Sequence, residues 1–591
     1  MPRNFDASAL TQRQQARTVA FFQTKQQVLG NSFNPSVSMP MFNPQSGNYD
    51  SSRLLDVVNG NYTTYSQGFP TVTVSVPPTS LLPFPFVGAP GTEVFVDPPI
   101  PIDVTVLYAF ESVLTYGASQ NYPPTVMSRF LYMWFMSVFG AWNWVLNAPV
   151  LPGTKDSWNF TTTQYPLNYD DSTTWMVLAV NQIMTTMGIT GYDSSYLINR
   201  TLTCHGWTSA QFATESARIQ SAGHWTQWLA ALTAWRSVRN ADGSATAKVA
   251  GPIPTDTTPN AQYKNANTTL DPSLTVDPAT YPAPTQWTPL KLSGATKLYA
   301  SPTWYNVAST CPAAIDYTAL SSAAAHFFPS TVQRQTELAE LLQLTGSMGD
   351  YEKMIAEWWA GGPKTVTPPG IFMWYWKDYM ATYNIAATQG INAFMLSGLQ
   401  LTVGLFETSR VIWAQKLLYT EARPIQDIRR LWRGQTVTGY NGQPQAGEAW
   451  MPYQESTFVT PPFPDFPSGH SGFSSMFANV MTQYFGRDIN TSKTVTMTDL
   501  KLVTFDLSGS VQTQPFGTVV FPTGSSHVEP GITPTAPTTV AFTTWHDMAD
   551  SAGLSRRCGG IHAISAHQGS VAIIGDSTQG LYKMVKDGWS F

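Results

Sequence analysis

Charge is scarce in this 591-residue chain. Asp, Glu, Lys and Arg together make up 12% of it, about half of the usual ~25%. The balance of 32 basic against 37 acidic residues leaves a net charge of −5. A nucleic-acid binder, which needs a basic face for phosphates, is excluded. Wholesale disorder is excluded too, because 43% of the residues are hydrophobic. Cysteine is equally sparse. Cys204, Cys311 and Cys558 are too few for a disulfide scaffold, and no Cys-x-x-Cys marks a zinc or iron–sulfur site. Residues 1–30 are polar and Gln-rich and lack the apolar stretch of a secretory signal, which leaves the compartment open. Only Phe130 to Leu151 is long enough to span a bilayer. Ser137, Asn143 and Asn147 interrupt it and Pro149 ends it, so it reads as a buried bundle helix and no membrane is expected. No fixed-period repeat is visible.

Proline and glycine number 44 and 42, so long loops are expected. Residues 1–100 read as an extended, Pro-rich arm with short strands (TVTVSV, 71–76), of the kind that wraps its own domain or a neighbouring subunit, and a homo-oligomer formed through it is expected. Residues 101–591 read as one helical domain, with helices over 172–188, 208–238, 330–345, 371–386, 390–433 and within 545–587. Two insertions interrupt it: a surface loop over 241–292 and a β-hairpin excursion over 493–543. The fold class is therefore mainly α, a helical bundle.

Three segments concentrate anion-binding groups. Lys416 and Arg423 lie seven apart, two helical turns, and share a face. Ser468-Gly469-His470 closes a Pro-rich stretch and opens an apolar helical run. It offers free N–H groups, a positive helix end, a hydroxyl, and an imidazole that can move protons. Arg556 and His562 flank a Gly-Gly pair that should break a helix between them.

In this order, Lys-x6-Arg-Pro, Pro-Ser-Gly-His and Ser-Arg-x5-His resemble the three-part motif of the vanadium-dependent haloperoxidases and the phosphatidic acid phosphatase type 2 superfamily. The resemblance covers roughly residues 390–585, and Pro123 to Trp142 also looks like an upstream helix of bacterial relatives. It implies a mainly α helical-bundle haloperoxidase/acid phosphatase-like fold. It also implies vanadate as cofactor, with His562 as the metal ligand. Lys416, Arg423, Ser468, Gly469 and Arg556 would hold the oxyanion, and His470 would be the acid–base. Lys416 would also act in catalysis. The implied activity is oxidation of chloride or bromide by hydrogen peroxide to hypohalous acid, with room for a small organic substrate. Trp413 and Phe463 match the aromatic pair that lines the halide pocket in fungal-type members.

The chain also departs from the family. The position matching Gly140 is often Asp. Four residues after His562, where an Asp usually holds the second ring nitrogen, stands Ala566. Ser565, His567 or a backbone carbonyl are the substitutes that sequence alone suggests. Two other readings stay open: a soluble acid phosphatase with a phosphohistidine at His562, and a structural homologue that has lost turnover.

Overall fold

The computed structural model describes residues 42–43, 48–49, 102–145, 169–205, 207–251, 278–281, 283–292, 295–497 and 512–591. The expected strand at 71–76 and nearly all of the N-terminal arm lie outside them, as does most of the 241–292 loop. Helices dominate. The site depends on nine: α1 (Pro124–Val145), α2 (Thr331–Thr345), α3 (Asp350–Trp358), α4 (Thr367–Tyr383), α5 (Ile391–Tyr419), α6 (Pro424–Leu431), α7 (Gly469–Phe485), α8 (Trp545–Cys558) and α9 (Ile564–Ile574). Among the described residues, sheet structure is confined to two-stranded antiparallel ribbons. Two of them, Thr494–Met497 with Gln512–Pro515 and Thr518–Phe521 with Thr538–Ala541, fall in the stretch read as a β excursion.

Helix α5 is the axis of the bundle. It packs on α1, α4 and α7, and α7 in turn packs on α4, α8 and α9. A helix surrounded this way must be apolar or internally satisfied on every face. Accordingly Phe394, Leu399, Leu401, Val403, Leu405, Phe406, Val411 and Ile412 are all buried. Its buried Glu407 is paired with Arg410 at 2.7 Å and takes hydrogen bonds from the Thr310 N–H and hydroxyl. Helix α1 is the apolar run read as a bundle helix. Trp134, Phe135, Phe139 and Trp142 are buried in it, and Tyr132 stacks on Phe406 of α5 at 5.3 Å. Among the described residues no helix is long and apolar enough to cross a membrane.

Two expected helices turn out to be broken, and the C-terminal helical stretch is divided, in part at the Gly-Gly pair where a break was expected. The 390–433 stretch is two helices, because Thr420 adopts a left-handed conformation (φ 46°) and Pro424 opens α6. Proline pushes its predecessor out of the helical region, so Arg423 is extended (ψ 152°). The 208–238 stretch divides at extended Ala222 into Ser209–Ser221 and Gly223–Asn240, where Gly223 is a weak helix former. The C-terminal stretch divides into three. Gly560 (φ 71°) and Gly575 (φ 63°) take conformations that residues with a Cβ rarely adopt. Helix α3 was not expected; it starts at Gly349, whose N–H is capped by the Glu352 carboxylate.

Close approach along α5 uses glycine. A Cβ on Gly398 would lie 2.2 Å from the Phe135 ring and 2.7 Å from the Trp376 ring, both rigid and buried. One on Gly404 would meet the flexible end of Met476 at 2.6 Å. Overpacking costs about 1–3 kcal/mol, whereas Gly→Ala within a helix returns roughly 1 kcal/mol. Gly398→Ala is therefore expected to lower the thermal midpoint clearly, and Gly404→Ala to leave it nearly unchanged. Equal losses in thermal denaturation would refute this account of the α5 interface.

Candidate functional site

The loop before α7 is unusual in what it lacks. Pro461, Pro462, Pro464 and Pro467 have no N–H, so this buried segment brings carbonyl acceptors inward with few donors to satisfy. Cations use them. Lys416, in the last turn of α5 and fully buried, donates from Nζ to the carbonyls of Pro464 (2.8 Å) and Asp465 (3.0 Å). Arg423, turned inward by the break before Pro424, donates from Nε to the Phe463 carbonyl (2.7 Å) and from Nη1 to the Ile561 carbonyl (2.8 Å). The same Nη1 lies 3.2 Å from His562 Nε2.

Arg556, near the end of α8, completes the set. Its Nη1 donates to the Trp359 (3.1 Å) and Ala356 (3.3 Å) carbonyls, and its Nη2 reaches the Gln454 side chain at 3.5 Å. Burial lowers all three cations below their ordinary values. Lys416 is held well below its ordinary range, with Arg423 adding to the effect. Arg423 falls to about 10 against the pull of Asp465, and Arg556 to about 9 with Arg423 again contributing. Arg423 Nη2 and Arg556 Nε are buried yet have no hydrogen-bond partner among the described residues. Such donors are costly when unmet, and an oxyanion between them would satisfy both.

His562 sits in the linker after Gly560, between α8 and α9. Its Nδ1 is hydrogen-bonded to Asp465 Oδ1, and Asp465 Oδ2 is paired with Arg334 Nη1 of α2 at 2.8 Å. Arg334 also pairs through Nε with Asp427 (3.0 Å) and through Nη1 with Glu421 (3.3 Å), and donates from Nη2 to the Ala422 carbonyl. Burial, helped by Arg423, pushes the His562 imidazole down to about 3. Burial alone would raise the Asp465 carboxyl, but Arg334 reverses this and holds it below the usual carboxylate range. The pair is thus a neutral imidazole beside a carboxylate.

Ser468 caps α7, accepting at 3.4 Å from the Ser471 N–H, and its own N–H donates to the Ala566 carbonyl (2.8 Å). Gly469 is the first residue of α7 and lies against the Trp413 ring. His470 Nε2 donates to the Trp359 carbonyl at 2.7 Å, the same oxygen that takes Arg556. The imidazole proton is therefore on Nε2 and Nδ1 is left as an acceptor. Burial and then Arg556 hold His470 well below its ordinary pKa. Trp413 and Phe463 meet at 4.9 Å between ring centres. Lys416 Nζ lies 5.1 Å and the Arg423 guanidinium 5.1 Å from the Phe463 ring centre. All nine residues singled out from sequence thus line or adjoin one locus.

What sequence reading missed is the carboxylate. Neither substitute near Ala566 serves His562: the buried Ser565 hydroxyl has no hydrogen-bond partner among the described residues, and His567 Nδ1 bonds the Ser471 hydroxyl (2.9 Å). Asp465 was the available signal, an acid alone in an apolar, Pro-rich loop of a charge-poor chain. Among the described residues no three His, Cys, Asp or Glu side chains gather as a metal centre. One imidazole with three cations and a helix N-terminus suits an oxyanion rather than a bare cation.

Two consequences can be measured. Arg334→Met removes the counter-charge from buried Asp465 and Asp427, and is expected to cost about 3–5 kcal/mol in denaturant unfolding. A loss within ~0.5 kcal/mol would refute the clamp. His567, held down to about 4 by burial and by Arg557, takes a proton near its ordinary pKa when unfolded. Below pH ~6.5 the unfolded state binds more protons, so this contribution to stability is present above that pH. It is lost as pH falls toward 4. The unfolding free energy of the wild type relative to His567→Asn should therefore fall with decreasing pH in this window, with a slope of up to ~1.4 kcal/mol per pH unit; a pH-independent difference would contradict it.

Comparison with known proteins agrees with this architecture. Residues 397–590 match the family model described as the VCPO second helical-bundle domain. The fold is similar to that of a bacterial vanadium-dependent chloroperoxidase, solved in its holo form. The match has a TM-score of 0.51 and 14% identity, over 79% of this chain and 93% of that one. It is also similar to a bacterial vanadium-dependent iodoperoxidase, with a TM-score of 0.52 and 17% identity, over 83% of this chain and 98% of that one. No curated protein sequence matches the chain. Residues 397–590 thus resemble the VCPO second helical-bundle domain, and the chain as a whole has a fold similar to that of the bacterial vanadium-dependent chloroperoxidase and iodoperoxidase.

Proposed function

We propose that the chain is a vanadate-dependent haloperoxidase that uses hydrogen peroxide to oxidise chloride or bromide to hypohalous acid. The observation that carries this reading is the pair of unmet guanidinium donors, Arg423 Nη2 and Arg556 Nε, in a cradle where His562 carries its lone pair on Nε2. Orthovanadate fits such a cradle. Its oxygens would be held by Lys416, Arg423, Arg556, the Ser468 hydroxyl and the Gly469 N–H, and the metal by His562 Nε2. Bound vanadate supplies a Lewis acid that activates peroxide without a change in oxidation state.

The protein's part is binding, orientation and proton handling. The three cations are fixed by backbone carbonyls before any anion arrives, so stabilising extra negative charge requires little reorganisation. His470 presents Nδ1 as a base and returns the proton from the same atom. Lys416 has one further N–H beyond its two carbonyl bonds, which would be available to polarise an oxygen of a bound oxyanion. Trp413 and Phe463 form an apolar wall beside these charges, where a large, weakly hydrated halide is favoured.

A soluble acid phosphatase is the second reading, and the Asp465–His562 pair favours it specifically, since a nucleophilic imidazole needs a carboxylate to aim it. The aromatic wall against Lys416 weighs toward the haloperoxidase. Dye bromination by protein dialysed against chelator and then given orthovanadate separates the two. Bromination is expected only with vanadate and peroxide. It should vanish in His562→Ala and fall about 10²–10³-fold in Arg556→Ala. Phosphate-ester hydrolysis inhibited by vanadate, with no bromination, would replace the proposal with the phosphatase.

A further inference from the structure

We propose that Asp465, clamped by Arg334, is the positioning residue that fixes the tautomer and aim of His562, in place of the carboxylate that position 566 does not supply. The inference rests on the reading of His562 as the vanadate ligand and deepens it.

The usual location is closed. Ala566 is fully buried on α9, and its carbonyl is already engaged by the Ser468 N–H at 2.8 Å. Asp465 reaches that ring nitrogen instead from the loop before α7, 97 residues earlier in the chain. Two hydrogen bonds and full burial leave the residue little freedom. Oδ2 takes Arg334 Nη1 at 2.8 Å, the Asp465 N–H donates to the Glu421 carbonyl at 3.0 Å, and the residue is fully buried. Arg334 is itself tied to Asp427 and to the Ala422 carbonyl. Both of those anchors flank Arg423, so one clamp sets the second cationic segment and the ligand histidine together.

The chemical consequence is directional. An ionised carboxylate only accepts hydrogen bonds. The imidazole proton must then reside on Nδ1, and the lone pair on Nε2 points where Arg423 Nη1 stands 3.2 Å away. Asp465 also lends its backbone carbonyl to Lys416. Replacing Asp465 by Asn keeps the shape but lets the amide N–H donate to Nδ1. That moves the ring proton to Nε2 and removes the ligand lone pair.

The test is nitrogen NMR on 15N-histidine-labelled full-length protein near pH 7, with His562 assigned from the signal lost in His562→Gln. Wild-type His562 is expected as the neutral Nδ1–H form. In Asp465→Asn it is expected to shift to the Nε2–H form, with near-ultraviolet circular dichroism retained. Orthovanadate affinity in equilibrium dialysis should be about 10–100-fold weaker. A wild-type His562 protonated on Nε2 overturns the proposal, as does an Asp465→Asn protein with unaltered tautomer or unaltered vanadate affinity. If Asp465→Asn does not fold, the wild-type tautomer decides. A wild type that binds no orthovanadate refutes the cofactor reading instead, while the tautomer still decides what Asp465 does.

Discussion

Everything at this locus depends on burying three cations in a charge-poor protein. Each ion withdrawn from water carries a desolvation penalty of several kcal/mol. Lys416, Arg423 and Arg556 share few carboxylates; Asp465 lies 3.9 Å from Arg423 and is itself claimed by Arg334. The compensation comes mainly from main-chain carbonyls: Phe463, Pro464, Asp465, Ile561, Ala356 and Trp359. Partial charges suffice to hold a cation in place but do not neutralise it. The locus thus keeps a net positive character that a full set of ion pairs would have cancelled, and an oxyanion is the natural complement.

The proline spacing of the 461–467 loop follows from the same constraint. An ordinary loop threaded into a core would bring as many N–H donors as C=O acceptors, and the donors would have to be met among cations that offer nothing to accept them. Four prolines remove four donors. The bundle supplies the rest of the frame: α5 is long and buried enough to carry Lys416 into the interior, and the left-handed end at Thr420 followed by Pro424 turns Arg423 back to the same place. Gly560 does the equivalent after α8, so that Arg556 and His562 face one locus from either side of a reversal.

Some of this was legible in the chain as written. The helical class followed from apolar periodicity, and the cationic and imidazole groups announced themselves as three short motifs, because local spacing on a helix or at its N-terminus sets which groups can share a face. Helix ends were read less well. The stretches 208–238 and 390–433 look continuous by composition, and the breaks at Ala222 and Thr420 reflect local conformation and packing that periodicity does not register. Helix α3 escaped notice because it is one short segment whose value lies in the carbonyls at and just past its C-terminal end, Ala356 and Trp359.

The amino-acid sequence by itself determined the chemical inventory: which cations, which imidazoles, which aromatic pair, and a loop stripped of donors by proline. Only the tertiary structure decided how the histidine is held. The absence of a carboxylate at Ala566 looked like a loss when judged within one helix. Asp465 and Arg334 make it good from 97 and 228 residues away in the chain. A hydrogen bond requires proximity of atoms, not of positions, and that proximity is created by the packing of α2, α5 and α9 around the loop before α7.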